Sequence, residues 1–253
     1  MFNKLKTVWR VWSTFGLVEV YKLLLRKFQA GFGSGSGVNF PSEIKWVDFL
    51  SSNFLTRSEV EHETSSHNSS VAAGTQSQEG VRSGFFNSIY DLGPELSRFL
   101  VWYCRSRKPT LVLETGVAAG KSSSLILTEL NTNRHGSLVS FDITSKVGEL
   151  IPAEYRNRWS LIVLPSLGKK RAFSRSLDKY NSAELFLHDS DHSVMWQKYE
   201  VLTALEKLTA LEYLLVDDIT PELVIELLAR IPMESLTFLN EDDKKKSLII
   251  KVK

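Results

Sequence analysis

From Pro94 to the carboxyl end, apolar residues follow two alternating rhythms. Short continuous runs predict strands at Leu111–Glu114, Ser137–Phe141, Trp159–Leu164, Leu185–His188, Tyr213–Val216, Ser235–Leu239 and Leu248–Val252. Between them, three- and four-residue spacing predicts helices over Pro94–Arg107, Ser122–Leu130, residues 170–180, the segment after His192, and Pro221–Ile231. Pro94 and Pro221 sit near the first turns of their helices, where a missing N–H costs nothing, and Thr220 is placed to cap the second. Repeated strand–helix alternation predicts an α/β fold with a doubly wound, mostly parallel sheet of seven strands. No helix separates the last two strands, so that pair should be antiparallel. The charged loop between them, Glu241–Lys246, reads as solvated.

The first 84 residues follow other rules. Leu5, Val8, Trp9, Trp12, Phe15, Leu23, Leu24 and Phe28 recur at helical spacing, and lysines and arginines fill the rest, which predicts an amphipathic helix over residues 4–29. Its longest uncharged stretch, Val11–Val18, has eight residues, against the roughly 20 needed to span a bilayer. Two roles stay open for it. It could pack on protein, either its own domain or a second copy in a homo-oligomer, or it could contact an anionic membrane surface peripherally. Alternating glycines in Gly31–Gly37 read as a linker. Residues 42–55 regain helical periodicity. The stretch Thr56–Gly84 holds no Leu, Ile or aromatic residue and reads as a lid-like or disordered segment, with His62 and His67 solvated. The predicted organisation is therefore a helix (1–30), a linker and lid (31–84) and a catalytic domain (85–253).

Composition narrows the function classes. A net charge of +2 gives no electrostatic reason to expect nucleic acid. The single cysteine, Cys104, excludes an internal disulfide and a thiolate zinc cluster, and fits a reducing, cytoplasmic compartment. It lies in an apolar helical stretch and should be a buried small hydrophobe.

The chemistry concentrates where strands end. Residues 185–188 run into His188-Asp189-Ser190-Asp191-His192, a helix follows, and residues 213–216 run into Asp217-Asp218. If the two strands are neighbours in a right-handed βαβ unit, Asp189 and Asp217 face each other across about 5 Å. Crowded carboxylates repel, and either raised pKa values or a divalent cation relieves them; the cation is the favoured reading. The first strand runs into Glu114-Thr115-Gly116-Val117-Ala118-Ala119-Gly120-Lys121-Ser122, a glycine turn that lets backbone approach a ligand. Asp142 ends the second strand, placed for ribose hydroxyls. A nucleotide triphosphatase is the alternative, since GVAAGKSS approaches a phosphate loop. Gly116 and Gly120 enclose three residues where that loop needs four, and the reading leaves Asp142 and HDSDH unused. A non-catalytic cofactor-binding or membrane scaffold is a third possibility.

Taken together, LVLETGVAAGKSSSL, SLVSFDI, ELFLHDSDHSVMWQKYE and YLLVDDI resemble successive motifs of class I S-adenosylmethionine-dependent methyltransferases. The resemblance is to the metal-dependent small-molecule O-methyltransferases of the macrocin, aminocoumarin and cephamycin type, and covers residues 85–253. It implies a small-molecule hydroxyl acceptor, a sugar or secondary metabolite. Glu114, Gly116 and Gly120 would shape the turn around the methionine portion of the cofactor, Ser122 would lie near its carboxylate, and Asp142 would hold the ribose. Ser166 stands where the family often carries an acid toward the adenine amine. Asp189, Asp217 and Asp218 would bind Mg²⁺ or another divalent cation. Asp191 would be the general base, with His192 as the other candidate. Ala118 departs from the family turn, which often has a glycine or a bulkier polar residue there.

Overall fold

The computed structural model describes residues 92–241 and 245–253. The readings made for residues 4–29, 31–37, 42–55 and 56–84 lie outside the described residues. Helix α1 spans Pro94–Arg107; then follow β1 (Leu111–Thr115), α2 (Lys121–Thr132), β2 (Ser137–Asp142), β3 (Trp159–Val163) and α3 (Lys169–Lys179). The chain continues through β4 (Leu185–His188), α4 (Val194–Lys207), β5 (Tyr213–Val216), α5 (Pro221–Leu228), β6 (Leu236–Asn240) and β7 (Lys246–Lys251). Among the described residues, no helix is long and apolar enough to cross a membrane.

The strands form a seven-stranded sheet in the order β3-β2-β1-β4-β5-β7-β6. Six point the same way, and β7 alone is reversed, running antiparallel to both its neighbours, β5 and β6. The expected antiparallel final pair is present. That β7 inserts beside β5, leaving β6 at the edge, was not legible in strand patterns alone. Helix α5 stops at Leu228, three residues before the expected end.

Alternation along each strand builds two cores. Leu113, Phe141, Phe186, Leu214 and Ile250 meet Phe173, Trp196, Val201 and Leu223 from α3, α4 and α5. Their sequence neighbours Val112, Leu138, Leu185, Leu187, Tyr213 and Ile249 meet Leu96, Phe99, Ile126 and Leu130 from α1 and α2. A period of two along a strand sends successive side chains to opposite faces, so the central strands are mostly apolar, with Glu114, Thr115 and His188 near their carboxyl ends, and are covered on both sides. Cys104 is buried in the second cluster, where burial pushes its thiol well up.

Glu241 and Lys245, both expected to be solvated, are instead engaged by other parts of the domain. Gly93 precedes α1 without a capping side chain, and Glu241 supplies one from the far end of the chain: its carboxylate accepts from the amides of Glu95 (2.7 Å) and Leu96 (3.0 Å). A Cβ on Gly93 would overlap the Glu241 side chain, so glycine is required for this approach. Lys245 is equally engaged, as described below. The correction has a simple cause: β7 pairs with β5, and that pairing brings Glu241 and Lys245 back against the domain. Glu241→Ala should lower stability by about 1 kcal/mol, in the range of a lost helix cap, measurable as a shifted urea midpoint at unchanged slope.

Candidate active site

Strand register decides what meets. Thr115 pairs with His188 and His188 with Val216, so β1, β4 and β5 end together. The pattern continues one step further, with Asp189 N donating to Thr115 O and Asp217 N to His188 O, both at 2.9 Å. Asp189 and Asp217 therefore stand side by side beyond the sheet. Ligand atoms of Asp189, His192 and Asp217 all lie within 4.8 Å of one another.

Asp218 takes another course. Its backbone is left-handed (φ 50°), its carbonyl accepts from Gln197 Nε2, and its side chain is exposed. The sharp turn sends Asp217 inward and Asp218 to the rim of the same cavity. The converging donors thus differ from the expected set: His192 joins the two aspartates where Asp218 was anticipated. Burial and the Asp217 carboxylate push Asp189 well above the usual carboxylate range, favouring its protonated form. Asp217 is buried, accepts from Ser247 Oγ at 3.1 Å, and pairs with Lys245 Nζ at 2.7 Å.

Asp191 is exposed. Its carboxyl is held below the ordinary value first by the Ser193 amide it accepts from, at 2.9 Å, with Lys169 contributing from 4.0 Å. Desolvation, then the positive potential of His188, lowers His192 below its usual 6.5, which leaves the imidazole free to accept a proton or a cation.

The glycine turn is pressed against this loop. Gly116 has φ +79°, and a Cβ there would overlap the Asp189 carbonyl. Gly120, at the start of α2, has φ +93° and stands over Gly148. Ala118 also has a positive φ (46°), which accounts for the family's frequent glycine at that position. Asp142 accepts from the amides of Val117 (3.0 Å) and Thr144 (3.1 Å), locking the turn to the end of β2.

Two cavities open on the two sides of the turn. One, of about 520 Å³, is lined by Gly116, Ala118, Phe141, Asp142, Ile143, Leu164 and Trp196. The other, of about 390 Å³, holds Asp189, His192, Asp217, Asp218 and Lys245. Gly116, Ala118, Asp189, Ser190 and Asp191 border both. A mostly apolar pocket with a few convergent polar groups, at the carboxyl ends of parallel strands, suits a nucleoside.

Three residues expected at the cofactor, Glu114, Ser122 and Ser166, line neither cavity. Glu114 is fully buried beneath the turn, where it accepts from Ser122 (2.5 Å), Ser123 (2.6 Å) and Ser140 (2.7 Å). The Ser122 hydroxyl is thereby committed to Glu114 rather than directed at a cofactor carboxylate. Ser166 is exposed and outside the cavity lining, while Lys169, three residues on, reaches it and lies 4.0 Å over the Trp196 ring.

Sequence reading also missed Glu200. One of its oxygens accepts from Thr115 Oγ1 (2.8 Å), His188 Nδ1 (2.7 Å) and Ser190 Oγ (2.7 Å), tying the ends of β1 and β4 to the acidic loop. A signal existed, since Glu200 sits four residues from both Trp196 and Ala204 on the buried face of α4. Lys245 had no such signal, being one cation in a run of three.

Residues 113–219 match the family model described as a methyltransferase domain. Over this stretch the sequence is that of a methyltransferase domain. The match begins in β1 and ends just past Asp218, so it takes in the turn, Asp142 and both acidic segments. The match favours a methyltransferase over the triphosphatase alternative. Among solved structures, the domain is similar to the O-methyltransferase TomG from Streptomyces achromogenes, involved in tomaymycin synthesis and solved with SAM. Identity is 15%, covering 82% of this chain and 96% of that one, with a TM-score of 0.50. It is also similar to the SAH-bound methyltransferase PaMTH1 from Podospora anserina, at 16% identity, 75% and 95% coverage and a TM-score of 0.48. The likeness to TomG bears on the fold, the class I methyltransferase sheet. No curated protein sequence matches the chain.

Glu114 yields a pH prediction. Desolvation is the largest influence on it and raises its carboxyl above the ordinary 4.5, against the three serine hydroxyls that lower it. Its stabilising contribution is therefore complete below about pH 4.5 and is lost as pH rises through the folded-state value. Relative to Glu114→Gln, the wild-type domain should lose stability as pH rises from 4.5 toward 7.5, read by urea denaturation at several pH values. Parallel stability–pH curves for the two proteins would contradict it.

Proposed function

We propose that the domain moves the methyl group of S-adenosylmethionine to a hydroxyl of a small molecule, a sugar or secondary metabolite, with a divalent cation assisting. The observation that carries this reading is the shared wall: a nucleoside-sized cavity on one side, a chamber of acids on the other, and Gly116, Asp189, Ser190 and Asp191 between them. Bound S-adenosylmethionine would supply an electrophilic methyl group, and a divalent ion would supply positive charge that acidifies the acceptor hydroxyl.

The residues fit both groups. Gly116 leaves space at the turn, Asp142 faces the cavity with two backbone amides holding it in place, and Phe141, Ile143 and Leu164 offer apolar walls for a base. Asp189, Asp217 and His192 offer hard oxygens and an imidazole at converging distances, with Asp218 at the rim, a donor set suited to Mg²⁺ or Mn²⁺. Asp191 borders both cavities and is the group placed to take the hydroxyl proton, with the neutral imidazole of His192 as the second candidate. Adjoining cavities that share Gly116, Asp189, Ser190 and Asp191 would let donor methyl and acceptor hydroxyl meet in line, which removes much of the entropic barrier to a displacement. The single cysteine fits a cytoplasmic enzyme, and a net charge of +2 gives no reason to expect nucleic acid as its partner.

Calorimetry tests the cofactor assignment: the protein should bind S-adenosylhomocysteine and not ATP. A screen of hydroxylated sugars and secondary metabolites, read as S-adenosylhomocysteine released, identifies the acceptor. With it, Asp191→Asn should retain S-adenosylhomocysteine affinity and lose about 10²–10⁴-fold in turnover. If that variant keeps full turnover and His192→Asn loses it, the base is the imidazole. Turnover unchanged in EDTA would remove the cation from the mechanism.

A further inference from the structure

The acid pair already has a cation against it, one the chain supplies itself. Lys245 Nζ lies 2.7 Å from Asp217 Oδ2, and Ser247 Oγ meets the other oxygen of the same carboxylate at 3.1 Å. Lys245 lines the acidic cavity together with Asp189, His192 and Asp218. Asp217 is 1% exposed, so its pairing with an ammonium group takes place out of water, where attraction between charges is strong. The lysine is delivered by the β6–β7 hairpin, whose base is fixed on one side by Glu241 capping α1 and on the other by β7 lying against β5.

We infer that Lys245 is a tethered counter-ion that competes with a divalent metal for the Asp189–Asp217 pair. The inference rests on the cation-assisted reading above and adds to it a residue of this chain that sets the affinity of the site. Two cations cannot share one carboxylate oxygen at contact distance without strong repulsion. A metal held by Asp189, His192 and Asp217 would set a second positive charge beside the ammonium, and on this proposal their repulsion drives the ammonium off Asp217 Oδ2. Lys245 has a long flexible stem and can swing toward the rim, where the Asp218 carboxylate lines the same cavity. The exchange keeps the acids neutralised at every stage. It also makes the metal's apparent affinity weaker than three converging donors alone would give.

The probe is Mn²⁺, titrated into the full chain by calorimetry or followed by its electron paramagnetic resonance signal. Lys245→Gln and Lys245→Met should each bind Mn²⁺ at least about tenfold tighter than wild type, because a neutral side chain no longer opposes the ion. Ser247→Ala, which removes a neutral partner of the same carboxylate, should stay within about twofold. Lys245→Gln retains a donor for Asp217 and guards against loss of folding in the Met variant. In the unmodified protein, Mn²⁺ should increase acetylation of Lys245 by acetic anhydride severalfold, read by peptide mass spectrometry, because the amine is released. Mn²⁺ binding that is equal or weaker in both variants overturns the proposal, as does unchanged or reduced labelling of Lys245. Titration with S-adenosylhomocysteine on the same samples reports separately on the methyltransferase reading: its binding can stand while the competition fails, and the reverse.

Discussion

β1, β4 and β5 stop in register, Thr115 beside His188 and His188 beside Val216, and the hydrogen-bond ladder runs on to Asp189 and Asp217. Parallel strands that end level must release their loops at the same height. Whatever residue comes first after each strand is thus pressed against its neighbours' first residues. In this chain those residues are Gly116, Asp189 and Asp217. The glycine accepts a carbonyl where no side chain could fit, and the two acids face one another. Both cavities are therefore consequences of one alignment.

That alignment has an electrostatic cost, and much of the surrounding polar structure offsets it. Glu200 reaches from α4 to collect hydroxyls and an imidazole from both strand ends, which prevents the acidic loop from drifting off the turn. Ser247 and Lys245 come from β7 and the hairpin before it to satisfy Asp217. Gln197 binds the Asp218 carbonyl with its amide and receives the Thr220 amide on its oxygen, holding the sharp turn after β5. Beneath the first turn, three serines enclose Glu114. Each is a buried polar group that would be destabilising alone and is satisfied here by its neighbours. The reversed strand β7 matters for the same reason: only a strand inserted beside β5 can deliver Lys245 and Ser247 to that carboxylate.

Much of this was legible in the chain. Apolar runs separated by helical spacing identified all seven strands, and one βαβ unit placed Asp189 opposite Asp217. What could not be read has a common cause, since it depends on contacts between distant segments. The position of β7, the cap that Glu241 forms on α1, and the contact of Lys245 with Asp217 all come from the final hairpin folding back over the domain. Local pattern marked that hairpin only as charged. Glu114 and Ser122 were recognised as belonging to the turn, but sequence cannot tell which side of a turn a side chain faces. They lie under it, facing each other. Asp218 follows Asp217 directly, and only its left-handed backbone shows that the pair diverges.

The most direct measurement is a crystal structure of the protein grown with S-adenosylhomocysteine. The account predicts the nucleoside in the cavity beside Asp142, with ribose hydroxyls on that carboxylate and the sulfur against the Gly116–Asp189 wall, pointing toward Asp191. A nucleoside bound elsewhere, or one whose sulfur faces away from the acidic chamber, would contradict it.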